Sequence, residues 1–193
     1  MTYLTKYPGV FEEAFEELMQ WEGEKYSVHP NDPGGGTKFG ISSKAYPNLD
    51  IKNLKKEEAK SIYEKDYWML QKCDDIFNAS DSKKIVKKLF ITSVNIGNVT
   101  AAKILQSAIN DATPPPYNVD LKSYLKIDGK IGPLTLGTLN NITVFSLVAD
   151  HINMNATLMH AFKRYLENYY IDLIVKNPAL KVFEEGWLRR ARA

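Results

Sequence analysis

The chain has 193 residues, is 44% hydrophobic, and carries a net charge of +2 and a single cysteine. That length allows one domain or two small ones, and the composition is that of an ordinary globule. So small a charge gives no argument for a nucleic-acid partner, one cysteine excludes an internal disulfide framework, and no stretch reaches transmembrane length.

Residues Met1 to Phe11 hold one lysine, a proline and no apolar run, and so do not read as a secretory signal. Val10, Phe11, Ala14, Phe15, Leu18 and Met19 then recur at three- and four-residue intervals, one buried stripe of an α-helix. One more turn along that stripe lands on Glu22, a carboxylate where the pattern asks for an apolar side chain. Glu12, Glu13, Glu16 and Glu17 fall on the opposite, solvated face. Gly23 follows, where a helix commonly ends in a left-handed cap. A carboxylate at a helix end on the core side should feel desolvation and the negative end of the helix dipole. Both raise its pKa toward values that suit a general acid.

Asn31-Asp32-Pro33 and Gly34-Gly35-Gly36 forbid a helix and write a tight turn. The piece from Phe39 to Ser42 starts a short strand or leads into the next helix. A helix-terminal Glu22, with Asp32 in a glycine-rich turn and Thr37 just beyond, is the set of groups that glycoside hydrolysis needs. One group protonates the leaving oxygen, and the others stabilise the oxocarbenium-like centre or position water.

Lys55 to Trp68 reads as an amphipathic helix with Ala59, Ile62, Tyr63 and Asp66 on one stripe. Tyr63, Tyr67 and Trp68 are either sugar-stacking rings or core. A helix from Ser80 or Asp81 runs through Leu89 with Lys83, Lys84, Lys87 and Lys88 on its wet side, and Asn95 lies just past it as a cap. Asn98 to Ala112 is a further helix, ended by Pro114-Pro115-Pro116. Tyr117 to Ile131 is irregular and leads into Asp128-Gly129-Lys130-Ile131-Gly132-Pro133, a turn with proline at a helix start. Its single acidic residue lacks the alternating oxygens of a calcium loop. Val144, Val148, Ile152, Met159, Phe162, Leu166 and Tyr169 mark one long helix to about Lys176. His151 and His160 have no partner at metal-ligand spacing and read as polar surface. Pro178 breaks the chain, and Val182 to Ala193 is a slightly basic helical tail.

Trp21-Glu22-Gly23 with Tyr26, Asn31-Asp32-Pro33-Gly34-Gly35, Thr37 and Gly40-Ile41 together resemble the signature of glycoside hydrolase family 108. The resemblance continues through Ile62-Tyr63, Asp66-Tyr67-Trp68 and Val94-Asn95-Ile96-Gly97. Beyond these, Leu105-Gln106, the Asp128 to Pro133 turn and Gly186-Trp187 resemble the helical peptidoglycan-binding domain usually fused to that hydrolase. The family comprises lysozyme-like N-acetylmuramidases of phages and bacteria, some labelled secretion activator proteins. The resemblance implies that Glu22 is the acid, with Asp32 and Thr37 as partners, and that Tyr26, Tyr63, Asp66 and Asn95 meet substrate in the cleft. Glu22 and Thr37 stand fifteen positions apart, the spacing of acid and threonine in phage-type lysozymes, whose intervening carboxylate sits one position earlier than Asp32. The family also commonly has a second glycine where this chain has Glu24.

The expected protein is mainly α: a lysozyme-like hydrolase over residues 1–98 and a packed helical peptidoglycan-binding domain over 99–193. The expected reaction is hydrolysis of the β-1,4 bond after N-acetylmuramic acid. The alternatives are a lytic transglycosylase with Glu22 as sole acid and base, or a non-catalytic wall-binding, secretion-activating protein. No metal or organic cofactor is implied. The expected partner is peptidoglycan and not nucleic acid, met by a monomer made in the cytoplasm without a signal peptide and reaching the wall through a holin pore or after lysis.

Overall fold

Pro8 opens helix α1 (Pro8–Glu22), where its missing N–H costs nothing and its fixed φ suits the first turn. The computed structural model describes residues 3–28, 36–113, 125–148 and 153–193. Their fold is mainly α. After α1 comes a small antiparallel hairpin, β1 (Thr37–Lys38) and β2 (Ile41–Ser42), and then α2 (Lys56–Tyr63), which runs directly into a π-helical segment, Glu64–Met69. The remaining helices are α3 (Cys73–Ser80), α4 (Lys83–Ile96), α5 (Asn98–Ala112), α6 (Pro133–Val148), α7 (Met154–Lys176) and α8 (Glu184–Arg192), with a 3-10 turn at Pro178–Phe183. The chain divides into two compact units, Met1–Asp74 and Asp75–Ala193.

In the first unit, the apolar stripe of α1 forms the core as the spacing predicts: Phe11, Ala14, Phe15 and Leu18 are fully buried. Aromatic rings carry this core from one end to the other. Phe11 meets Trp68 edge-on at 5.2 Å, Phe15 meets Tyr63 at 6.0 Å, and Tyr63 meets Tyr67 at 5.6 Å. Trp68 is therefore core. Its Nε1 donates to Asp74 at 2.8 Å and to the Thr5 hydroxyl at 3.1 Å. Asp74 also accepts from the Thr5 hydroxyl and from Lys6 N, and the buried Glu64 accepts from Leu4 N at 2.7 Å and Thr5 N at 2.9 Å. These two carboxylates are structural, since each is surrounded by donors that satisfy it. Cys73 is fully buried, and burial holds its thiol well above the usual range.

In the second unit, α5 and α7 share the largest interface, with α4 against α5 and α8 against α7. The turn before α6 is built around Gln106, which is buried on α5. Its amide nitrogen, Nε2, donates to Asp128 at 3.0 Å and to Lys130 O at 3.1 Å, and its Oε1 accepts from Gly129 N at 2.9 Å. That network explains why Leu105-Gln106 and Asp128 to Pro133 belong together. The nearly buried Lys88 points its ammonium at the last carbonyls of α8, Arg190 O at 2.7 Å and Ala191 O at 2.8 Å, and so satisfies acceptors the helix leaves open.

Three expectations are corrected. The helix over Lys55 to Trp68 changes from α to π at Glu64. The helix expected to begin at Ser80 or Asp81 begins at Lys83 on the Ser82 cap, after a separate helix, α3. The single long helix through Val144 and Tyr169 is two helices, and α7 starts afresh where the Asn153 side chain accepts from Ala156 N at 3.0 Å. The irregular stretch from Tyr117 lies mostly outside the described residues.

Candidate active site

Glu22 is the last residue of α1 and half-buried, less enclosed than the Phe11, Phe15 and Leu18 stripe that leads to it. The helix stops at Gly23 with φ 74° and ψ 162°, and the Gly23 N–H donates to Met19 O at 3.0 Å. This is an extended backbone region open essentially to glycine alone, not the left-handed cap expected.

The hairpin lies against this helix end. Ser27 and Thr37 exchange both backbone hydrogen bonds at 2.9 Å, and Thr37 pairs in turn with Ser42, so Thr37 is held between a single bridge on one side and β2 on the other. Phe39 and Gly40 form the two-residue turn with φ 53° and 75°, both positive as the hairpin's twist requires. A Cβ on Gly40 would stand 2.6 Å from Tyr63 Oη, 2.9 Å from Glu22 Oε2 and 3.0 Å from Glu22 Cγ. The turn backbone thus rests directly on the carboxylate. Tyr63 Oη donates to Phe39 O at 2.9 Å, which ties α2 to the same turn.

The sequence reading puts Tyr63 against substrate. Its ring is only 2% exposed, so it backs Glu22 and the turn and offers no stacking face. Burial, and then the Glu22 charge, hold its hydroxyl well above the usual phenol range. Tyr67 is raised by burial and then by Asp66 and Glu22, so it lies within reach of both charges. Asp66 sits in the π-helical segment and accepts from Tyr46 Oη at 2.8 Å. Tyr46 is raised by burial first and by that bond second. Tyr46, Pro47, Leu49, Ile62 and Asp66 line an open depression of about 500 Å³ beside this pair.

These phenols carry a pH signature. The folded state keeps them protonated to higher pH than the unfolded chain, so above about pH 10 the unfolded chain releases protons first. Stability should be insensitive to them below that pH. Above it, stability should fall with each further unit by up to about 1.4 kcal/mol for each deeply buried group. Tyr63, and Tyr170 of the second unit, which burial pushes up to about 12, are the main contributors. Urea unfolding midpoints measured from pH 8 to 11.5 should begin to decline from about pH 8.5, where the Cys73 thiol ionises first in the unfolded chain, and more steeply above about pH 10, and Tyr63→Phe should make the steeper part shallower.

Glu24 does not leave an unpaired charge beside Glu22. Lys56 Nζ lies 2.9 Å from Glu24 Oε1 and 2.9 Å from Glu16 Oε2, and the two carboxylates, Glu24 first, raise the Lys56 pKa. Tyr26 is 40% exposed, with its ring packed over Gly36. Asp32 lies outside the described residues. Asn95 belongs to the second unit, where Nδ2 donates to Ile91 O at 2.9 Å and Oδ1 accepts from Arg190 at 2.7 Å. Both ends of its amide are engaged in holding helix ends within the second unit. Tyr46 and Lys56 escape a sequence reading, since their partners lie 20 and 32 or more residues away with no local pattern to mark them.

A half-buried glutamate ending a core helix, laid against a hairpin turn in a mainly α fold, defines a lysozyme-like protein. Residues 15–97 match the model of Glycosyl hydrolase 108, and residues 100–192 match that of the Predicted Peptidoglycan domain. The first of these regions is a glycosyl hydrolase 108 domain and the second a peptidoglycan domain, and together they support a lysozyme-like, peptidoglycan-active protein. It is also similar to a solved structure titled "Structure of Brucella abortus SagA", with a TM-score of 0.66 and 22% identity over 96% of this chain and 91% of that one. That likeness shows the fold. No curated protein matches the sequence.

Proposed function

We propose that the chain is an N-acetylmuramidase in which Glu22 donates a proton to the glycosidic oxygen between N-acetylmuramic acid and N-acetylglucosamine. The observation that carries this reading is the seat of Glu22, whose Oε2 and Cγ lie against the Gly40 backbone position with the Tyr63 hydroxyl beside them. A carboxylate held on its inner side by protein and open on the other can reach a sugar oxygen without being free to swing away. Thr37 on β1 and Asp32 hold the water that attacks the opposite face of the sugar. Asp66 with Tyr46, and Tyr26, contact neighbouring sugars. Residues 1–98 form the hydrolase region and 99–193 the wall-binding region. Action as a monomer and release through a holin pore accompany this reading.

Mass spectrometry of digested peptidoglycan tests it. The expected products end in ordinary reducing N-acetylmuramic acid. Products ending mainly in 1,6-anhydro sugar would mean that no water takes part and that Glu22 serves as the acid and base of a transglycosylase. Intact peptidoglycan, with the protein bound to it, would assign the chain to wall binding alone.

A further inference from the structure

The second unit holds a pocket of about 490 Å³ between the first turn of α4 and one face of α7. Ser82, Lys84, Asn153, Asn155, His160 and Lys163 supply its polar lining, and none of the described residues lining it is acidic. We propose that this pocket binds the C-terminal carboxylate of a peptidoglycan stem peptide, with Lys84, Lys163 and His160 facing the anion and Asn155 accepting an adjacent peptide N–H.

The cations come from two helices. Lys84 is exposed on α4. Lys163 on α7 spends one N–H on Arg192 O at 2.7 Å, which fixes the ammonium and leaves two donors. His160 precedes Lys163 by three residues and so shares its face of α7. The N-terminal ends of α4 and α7, capped by Ser82 and Asn153, meet at the same pocket and add positive potential to it.

Asn155 decides between anions. Its Nδ2 donates to Ser80 O at 3.3 Å, so the amide cannot be reversed without setting oxygen against oxygen. Its Oδ1 is buried with no hydrogen-bond partner among the described residues. A buried acceptor in that state calls for a donor. A terminal amino-acid residue brings a carboxylate and, one residue's length away, an N–H, whereas a teichoic-acid phosphodiester brings charge without that donor.

This inference rests on the wall-polymer reading above but is tested apart from it. Isothermal titration of the full chain would use a muramyl pentapeptide with a free C-terminal carboxylate and the same peptide as its C-terminal amide. Amidation is expected to weaken binding by at least about tenfold, as is Lys84→Glu, while Lys84→Arg stays within about threefold of the parent. Circular dichroism checks that the exposed Lys84 substitutions leave the fold intact. Equal affinity for acid and amide, or affinity unmoved by Lys84→Glu, overturns the proposal. So does Lys84-dependent binding of a glycerol-phosphate oligomer tighter than that of the peptide, which would assign the pocket to phosphate. Cleavage of glycan strands stripped of peptide is measured in parallel. Cleavage without peptide binding removes the pocket and leaves the muramidase reading standing, and peptide binding without cleavage does the reverse.

Discussion

Glu22→Gln is expected to lower the rate at which the protein clears a suspension of isolated walls by at least about a hundredfold, the scale of losing a general acid. The amide is nearly isosteric and keeps the hydrogen-bonding shape of the side chain against Gly40, but it has no proton to give at neutral pH. Because Glu22 is half-buried at a helix end and not enclosed in the core, the melting temperature should change by only a few degrees. Turbidity loss and thermal melting on the same preparation therefore separate catalysis from folding. A Gln variant that still clears walls near the parental rate removes Glu22 from the role of acid. Loss of clearing together with loss of the folded state would leave the acid to be tested through the milder Glu22→Asp, which retains the proton but draws it back by one methylene. That variant should clear walls measurably but slowly.

Gly40→Ala is expected to damage both activity and stability. The backbone there has φ +75°, which costs an L side chain about 1–2 kcal/mol. The new methyl would also stand 2.6 Å from Tyr63 Oη and 2.9 Å from Glu22 Oε2, so the hydroxyl, the carboxylate or the whole turn must move. A total loss of about 2–4 kcal/mol follows in chemical denaturation, with at least about a tenfold loss of clearing rate from displacing the acid. The double variant Gly40→Ala with Tyr63→Phe discriminates between these causes. Removing the hydroxyl opens the closest contact, so the pair should be less unstable than the two single changes summed. Strict additivity would show that the Tyr63 contact contributes nothing, leaving backbone strain and the Glu22 contact as the causes.

The part of this site that was legible in the sequence is the part built locally. The three- and four-residue period of α1 fixes which face is buried, and the same count carries it to Glu22. Gly23 is visible as a helix stop because glycine marks unusual backbone, whereas the turn at Phe39-Gly40 falls inside a piece that reads as a short strand or a lead into the next helix. What could not be read is how these pieces meet. Gly40 is an ordinary turn glycine until Tyr63 and Glu22 are found on it from 23 and 18 residues away. Tyr46 becomes relevant only through Asp66. The break between α6 and α7 was hidden for the opposite reason. Apolar residues continue at helical spacing across it, so the period gives no sign that the chain stops and is capped again at Asn153. The change from α to π at Glu64 is likewise silent, because a single wide turn preserves the composition of the helix while rotating Asp66 and Trp68 about its axis.

The hydrogen bonds from Leu4, Thr5 and Lys6 to Glu64 and Asp74 separate the unit of recognition from the unit of folding. The family match begins at residue 15, midway along α1, as though everything before it were dispensable. Physically the molecule begins earlier. A fragment cut at that point would discard Phe11 from the aromatic core, strip the buried Glu64 of its Leu4 and Thr5 donors, and leave the buried Asp74 with the Trp68 indole but without Thr5 and Lys6. A region shared by relatives is thus not a region that can be excised. The least recognisable residues of the hydrolase half are the ones that close its floor.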